Sequence, residues 1–146
     1  MAAKPLEKPD VIVCERSGSW AAALRSNLIE LAARIRETRT LAECAVELQH
    51  SPAALVAVEV TVDNLARALH YLDAWQAAYP QALLLALLAR GNECHEAVLR
   101  EAGAAHVVTG TRRLHSVKEL VHTRIGRRSA RPNILEEVWD GLPWGD

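Results

Sequence analysis

One alternation runs through the chain and limits what it can fold into. Short runs of aliphatic and β-branched residues recur between longer stretches whose apolar residues fall three or four apart. Asp10-Val-Ile-Val-Cys14, Leu55-Val-Ala-Val58, Ala82 to Ala89 and His106-Val-Val-Thr109 are such runs, with a weaker one around Ile35 to Thr40. Strand then helix, five times over, predicts an α/β domain: a parallel sheet with helices on both faces, since parallel strands need crossovers and are buried on both sides. Right-handed crossovers of this length make an open, doubly wound sheet the economical topology.

The run "ALLLALLA" at 82–89 would suit a helix by propensity alone. Its length, Pro80 before it and Arg90-Gly91-Asn92 after it favour a buried strand. The run at 55–58 stops at a carboxylate, Glu59, ahead of a turn-like Asp63-Asn64. Ser19 is the expected N-cap of a first helix carrying Trp20, Leu24, Leu28, Leu31 and Ile35 as one apolar stripe. Leu41 to Gln49 predicts a second helix. Leu65, Leu69, Leu72 and Trp75 mark a third that ends before Pro80, and a fourth stops at Gly103. Val117, Leu120, Val121 and Ile125 mark the last.

At 146 residues the chain has the size of one domain. Its formal net charge of −1 gives no electrostatic reason to expect nucleic acid or an anionic membrane as partner. No apolar run approaches the length needed to span a bilayer, and the start of the chain lacks the pattern of a secretion signal. The three cysteines, Cys14, Cys44 and Cys94, form no C-x-x-C, which argues against a disulfide framework or a zinc site and points to a reducing cytoplasm. Cys94-His95 is the nearest approach to a ligand pair, and neighbours on a helix point apart, so no metal is expected.

Sites in such sheets lie beyond the carboxyl ends of the strands. Glu59 and the Cys14-Glu15 pair both belong there. With these residues the chain resembles the receiver domain of bacterial response regulators, over about residues 10–126. The resemblance implies a flavodoxin-like (βα)5 fold of strand order 2-1-3-4-5. It also implies a pocket with an acidic pair after strand one, a phosphoaccepting Asp ending strand three, a hydroxyl after strand four and a Lys-Pro after strand five. Laid onto this chain, the acceptor position falls on Glu59, the acidic pair on Cys14 and Glu15, and the hydroxyl on Leu88. "REAGA" at 100–104 resembles the segment before strand five, and Lys-Pro falls on Gly110-Thr111. Four of the five chemical positions are thereby altered. One remaining acid makes a poor Mg²⁺ site, and neither Leu88 nor Gly110 can bind a phosphoryl oxygen. The expectation is a degenerate pseudo-receiver: not an enzyme, without cofactor or metal, acting through protein contacts in two-component signalling. Two alternatives are an atypical phosphoacceptor using Glu59 and a small-ligand-binding flavodoxin-like domain.

A nucleophilic Cys14 in a phosphatase-like loop would want an Arg where Trp20 stands, and "ERSGSW" is a poor phosphate cradle. Cys44 reads as helix surface or core edge. Arg16, Arg90 and Arg112 are candidate ion-pair partners for Glu59. The basic residues at 124–131 lack interleaved aromatics. Residues 127–133 read as a linker, and 134–146 as a tail concentrating Ile134, Leu135, Val138, Trp139, Leu142, Pro143 and Trp144. That composition suits docking on a protein partner, whether on a second copy in a homodimer or on another protein, as well as folding back on its own domain.

Overall fold

Apolar strands alternate with amphipathic helices, so each face of the sheet can be sealed as the chain winds. The structure, a computed structural model, describes residues 10–31, 33–89, 91–110, 114 and 116–123. The strands are β1 (Asp10–Cys14), β2 (Arg34–Thr38), β3 (Leu55–Val60), β4 (Leu83–Leu88) and β5 (His106–Thr109). The helices are α1 (Ser19–Asn27), α2 (Leu41–His50), α3 (Leu65–Ala78), α4 (Glu96–Glu101) and α5, at residues 116–123. All strand pairs are parallel, in the order β2-β1-β3-β4-β5. This is the doubly wound, flavodoxin-like topology expected from the sequence.

Period-two alternation divides the core in two. Ile12, Cys14, Val56, Val58, Val60, Leu84, Ala86 and Leu88 pack with Cys44 and Leu48 of α2, Leu72 and Trp75 of α3, and Leu99 of α4. Val11, Val13, Leu55, Ala57, Leu85, Leu87 and Val108 pack on the other face, with Trp20, Leu24, Val117 and Val121 of α1 and α5. The central strands β1, β3 and β4 carry apolar residues toward both layers, as helices on both sides require.

Three local expectations give way. The Trp20–Ile35 stripe does not lie on one helix: α1 ends at Asn27, a 3-10 turn covers Ile29–Leu31, and Ile35 belongs to β2. The second difference lies at Glu59, where β3 does not stop. It pairs with Leu87, and the strand runs on to the buried Val60. Ser19 is the first residue of α1 rather than its cap, because Gly18 holds the N-cap position.

Gly103 does end α4. Its N–H donates to the Arg100 carbonyl and that of Ala104 to the Leu99 carbonyl, at 3.1 and 3.0 Å. These are the paired bonds of a Schellman motif, with Leu99 and Ala104 both buried beside it. Its φ of 120° is foreign to L-residues, and an added Cβ would lie 2.7 Å from Gln76 Oε1 and 2.9 Å from Gln76 Cβ. Gly103→Ala is expected to cost about 1–3 kcal/mol, measured by urea unfolding. Gln76→Ala should recover only a fraction of this, because the Cβ at 2.9 Å stays in place and the backbone strain persists.

Candidate functional site

The carboxyl ends of β1, β3, β4 and β5 bring the residues singled out in the sequence to one rim, but they do not play equivalent parts. Glu15, directly after β1, is 2 % exposed. Its Oε1 accepts from the Trp20 N–H at 2.9 Å, and its Oε2 from the Ala21 N–H. The local reason is Gly18, the residue before α1. Gly18 has a φ of 86° and no side chain to cap with, leaving the first amides of the helix open. Glu15 reaches back over the turn and supplies the missing acceptor, where the helix dipole also favours negative charge. Ser17 Oγ adds a long contact at 3.5 Å. Arg39 Nη1 donates to the carbonyls of Glu15 and Arg16, at 3.3 and 3.1 Å, and holds the turn from the side.

Cys14 takes the last position of β1, in register with Thr38 and Val58. It points into the layer under α2. Cys44 is fully buried in the same layer, which corrects its assignment to a helix surface or core edge. Each thiol shifts the titration of the other, and the Thr38 hydroxyl acts on both. Thr38 Oγ1 also donates to the Val13 carbonyl at 3.0 Å.

Glu59 lies on the α1–α5 face of β3, half-buried. Asn64 fixes its backbone: Nδ2 donates to the Glu59 carbonyl at 2.8 Å, while Oδ1 accepts from the Thr61 N–H at 2.7 Å. The Asn64 N–H donates in turn to Thr61 Oγ1 at 3.3 Å. No described residue hydrogen-bonds or ion-pairs with the Glu59 carboxylate. Arg16 therefore does not pair with it, and Arg90 and Arg112 lie outside the described residues.

Leu88 sits wholly inside the core under α2–α4. Gly110, at a φ of 77°, turns the chain out of β5 and donates its N–H to the Leu88 carbonyl at 2.8 Å. Directly opposite Leu88 is Thr109, half-buried at the end of β5. Sequence reading ends strand five at Thr109 but gives its hydroxyl no part in the pocket. Strand register is the signal that finds it.

Mg²⁺, which a receiver's phosphoryl chemistry needs, wants several carboxylate or carbonyl oxygens free to coordinate it. Both Glu15 oxygens are committed to α1 amides, Cys14 offers a buried sulfur, and Glu59 is left as one carboxylate. The donor set does not fit the ion. Among the described residues no group of three or more His, Cys, Asp or Glu could hold a metal. Cys94 Sγ and His95 Nδ1, 3.9 Å apart, form only an exposed neighbour contact.

The five-stranded sheet in the order 2-1-3-4-5, with its rim after β1, β3 and β5, has close counterparts among solved structures. A response regulator from Thermotoga maritima superimposes with a TM-score of 0.67 at 18 % identity, over 82 % of this chain and 99 % of that one. The fold is that of a receiver domain. A CheY-like protein, TadZ, from Pseudomonas aeruginosa matches the same receiver fold with a TM-score of 0.68 at 16 % identity, over 80 % of this chain and 99 % of its own. An orphan response regulator of Helicobacter pylori gives 0.64 at 15 % identity, over 83 % and 99 % of the two chains. No family model and no curated protein matches the chain. No helix among the described residues is long and apolar enough to cross a membrane.

On β5 of this receiver fold, His106 Nε2 lies 3.2 Å from Ser116 Oγ. Burial lowers its pKa from the ordinary 6.5, the Arg100 cation lowers it further, and Glu96 partly opposes both. The unfolded chain therefore takes up this proton at a higher pH than the folded one. Stability attributable to His106 is complete above 6.5 and falls as the pH drops through that value toward the lower folded one. Thermal midpoints measured from pH 7.5 to 5 should decline less steeply in His106→Gln than in the parent.

Proposed function

We propose that this chain is a non-phosphorylatable pseudo-receiver that acts as a protein-interaction module in signalling. The observation that carries the reading is the Glu15 carboxylate turned inward onto the α1 amides. In a phosphoaccepting receiver an acid at this place serves Mg²⁺; here it serves the fold. Burial of Leu88 and the neutral Gly110 support the same reading, since neither supplies a donor to a phosphoryl group. Glu59 then stands at the acceptor position as a carboxylate with no partner among the described residues, a negative charge held by its Asn64-braced backbone where a phosphoryl group would otherwise bring one. The docking element of this proposal is the C-terminal tail, with Leu135, Val138, Trp139, Leu142, Pro143 and Trp144 as its anchors. These residues and the 127–133 linker lie outside the described residues, and the assignment rests on their sequence.

Incubation with acetyl phosphate and Mg²⁺, followed by intact mass measurement, tests the first half. No phosphate adduct is expected. An adduct of one phosphate that disappears in Glu59→Gln would overturn the reading in favour of an atypical phosphoacceptor. Truncation after Arg131 tests the second half. It should abolish retention of a protein partner, or dissolve a homodimer, while leaving the unfolding midpoint of the receiver-like domain unchanged. A truncated chain that keeps every association of the full chain would remove the docking role.

A further inference from the structure

The sequence offers Cys14 and Cys44 as unrelated residues, one closing a strand and one inside a helix. The fold makes them a pair. Thr38 ends β2 opposite Cys14, and two residues later Thr40 caps α2, its Oγ1 accepting from the Glu43 N–H at 3.1 Å. Cys44 follows on the first turn of α2, its own N–H donating to the Thr40 carbonyl at 3.1 Å. This short connection lays the start of α2 over the mouth of β1 and brings both thiols into the one buried layer between them. Both are free, and they share one core layer. Cys44 is wholly enclosed, whereas Cys14 keeps 6 % of its surface open at the rim. The proposed function leaves both thiols unused.

We propose that Cys14 and Cys44 form a peroxide-oxidisable dithiol, which closes to a disulfide tying the mouth of β1 to the first turn of α2. Cys14 is the attacking sulfur. The Cys44 thiol holds it below the usual range and the Thr38 hydroxyl assists, against burial and the Glu43 and Glu59 carboxylates, which push it up. Cys44 is pushed upward by Cys14 and by burial, so it remains the protonated partner. In the first step the Cys14 sulfur attacks one oxygen of a hydroperoxide. An S–O bond forms as the O–O bond breaks, the thiol proton leaves with the departing oxygen as water or an alcohol, and Cys14 becomes a sulfenic acid. In the second step the Cys44 sulfur attacks the Cys14 sulfur. An S–S bond forms, the S–O bond breaks, and the hydroxyl leaves with the Cys44 proton as water. Overall the two thiols lose two electrons and two protons, and the peroxide is reduced by the same count. The cross-link would lie beside Glu15 and its α1 amides, at the rim where a receiver takes its phosphate, and would give this chain a covalent switch of another kind.

The test uses the full chain carrying Cys94→Ser, which removes the exposed third thiol. After hydrogen peroxide, the protein is unfolded, alkylated with iodoacetamide and weighed. The expected product has lost two hydrogens, gained no oxygen and taken up no alkyl group. A reductant should restore both alkylation sites, and a peptide map should join the Cys14 and Cys44 peptides. Two free thiols after a dose that oxidises a cysteine peptide, a product retaining oxygen on Cys14 beside a free Cys44, or a cross-link between chains would each overturn the proposal. In Cys44→Ala on the same background, loss of the free Cys14 thiol to peroxide should be several-fold slower, and its sulfenic acid, left without a resolving thiol, should accumulate as the dimedone adduct, with circular dichroism confirming the fold; an unchanged rate of thiol loss would overturn the activating role of Cys44. None of these readouts involves Glu59 or a phosphodonor, so failure here and failure of the pseudo-receiver reading are separate results.

Discussion

Glu15→Ala should destabilise the domain by about 2–3 kcal/mol, because two amides of α1 lose a charged acceptor in a place water does not reach. The carboxylate accepts from Trp20 and Ala21, and the only further side-chain acceptor at that end among the described residues is Ser17 Oγ, which takes the Ser19 N–H at a long 3.4 Å. For a domain of this size the loss corresponds to a fall in thermal midpoint of roughly 6–12 °C. Glu15→Gln separates charge from shape. It keeps one oxygen but turns an NH₂ group toward an amide that needs an acceptor, so it should recover less than half of the deficit. Unfolding followed by far-UV circular dichroism reads both variants. If Glu15→Ala unfolds within about 0.5 kcal/mol of the parent, as ordinary surface changes do, then Glu15 is not a structural cap. The acid would be free for other chemistry, and the main support for the pseudo-receiver reading would go with it.

Leu85→Ala should cost about 3–5 kcal/mol, more than the loss of the Glu15 cap. Leu85 is 0 % exposed near the middle of β4 and packs into the α1–α5 layer. Truncation removes buried methyl groups and leaves a cavity that the paired strands on either side cannot close. Against a total stability of about 5–15 kcal/mol for a native domain, such a loss threatens folding at physiological temperature. Val62→Ala is the matched control. Val62 is 71 % exposed in the loop after β3, and its truncation should change the urea midpoint hardly at all. Equal effects from the two substitutions would contradict the two-layer core.

Much of this architecture was open to reading in the residues. "ALLLALLA" has helical propensity throughout, yet Pro80 and the Arg90-Gly91-Asn92 turn leave room only for a short element, and β4 occupies Leu83–Leu88. Gly103 was legible because a helix stop with positive φ leaves few residues to choose from. What failed were inferences that needed the third dimension. The stripe from Trp20 to Ile35 keeps helical spacing by coincidence, since Leu31 and Ile35 meet the same apolar layer from a turn and a strand. Glu59 looked like a strand terminus because acids are rare in buried strands, but its face of β3 opens toward the rim and the ladder continues beneath it. Glu15 looked like a remnant ligand because its alternative employer, a pair of amides five and six residues on, shows no side-chain signature. The thiol pair was equally hidden. Its members lie far apart in sequence, and only the pairing of β1 with β2 and the short turn into α2 bring them together.

The outer strand β2 reads Arg-Ile-Arg-Glu-Thr, with Arg36 joined to Glu47 and Glu37 to Arg25 across the adjoining helices. An unpaired strand edge is a template on which other chains can add, and flanking charge is the usual deterrent. Two such molecules meeting edge to edge along β2 would have to break these pairs or crowd them. The sheet is thus discouraged from growing outward on that side. If the chain self-associates, helices or segments outside the sheet are the expected meeting ground, and aggregation under stress should begin elsewhere than at this border.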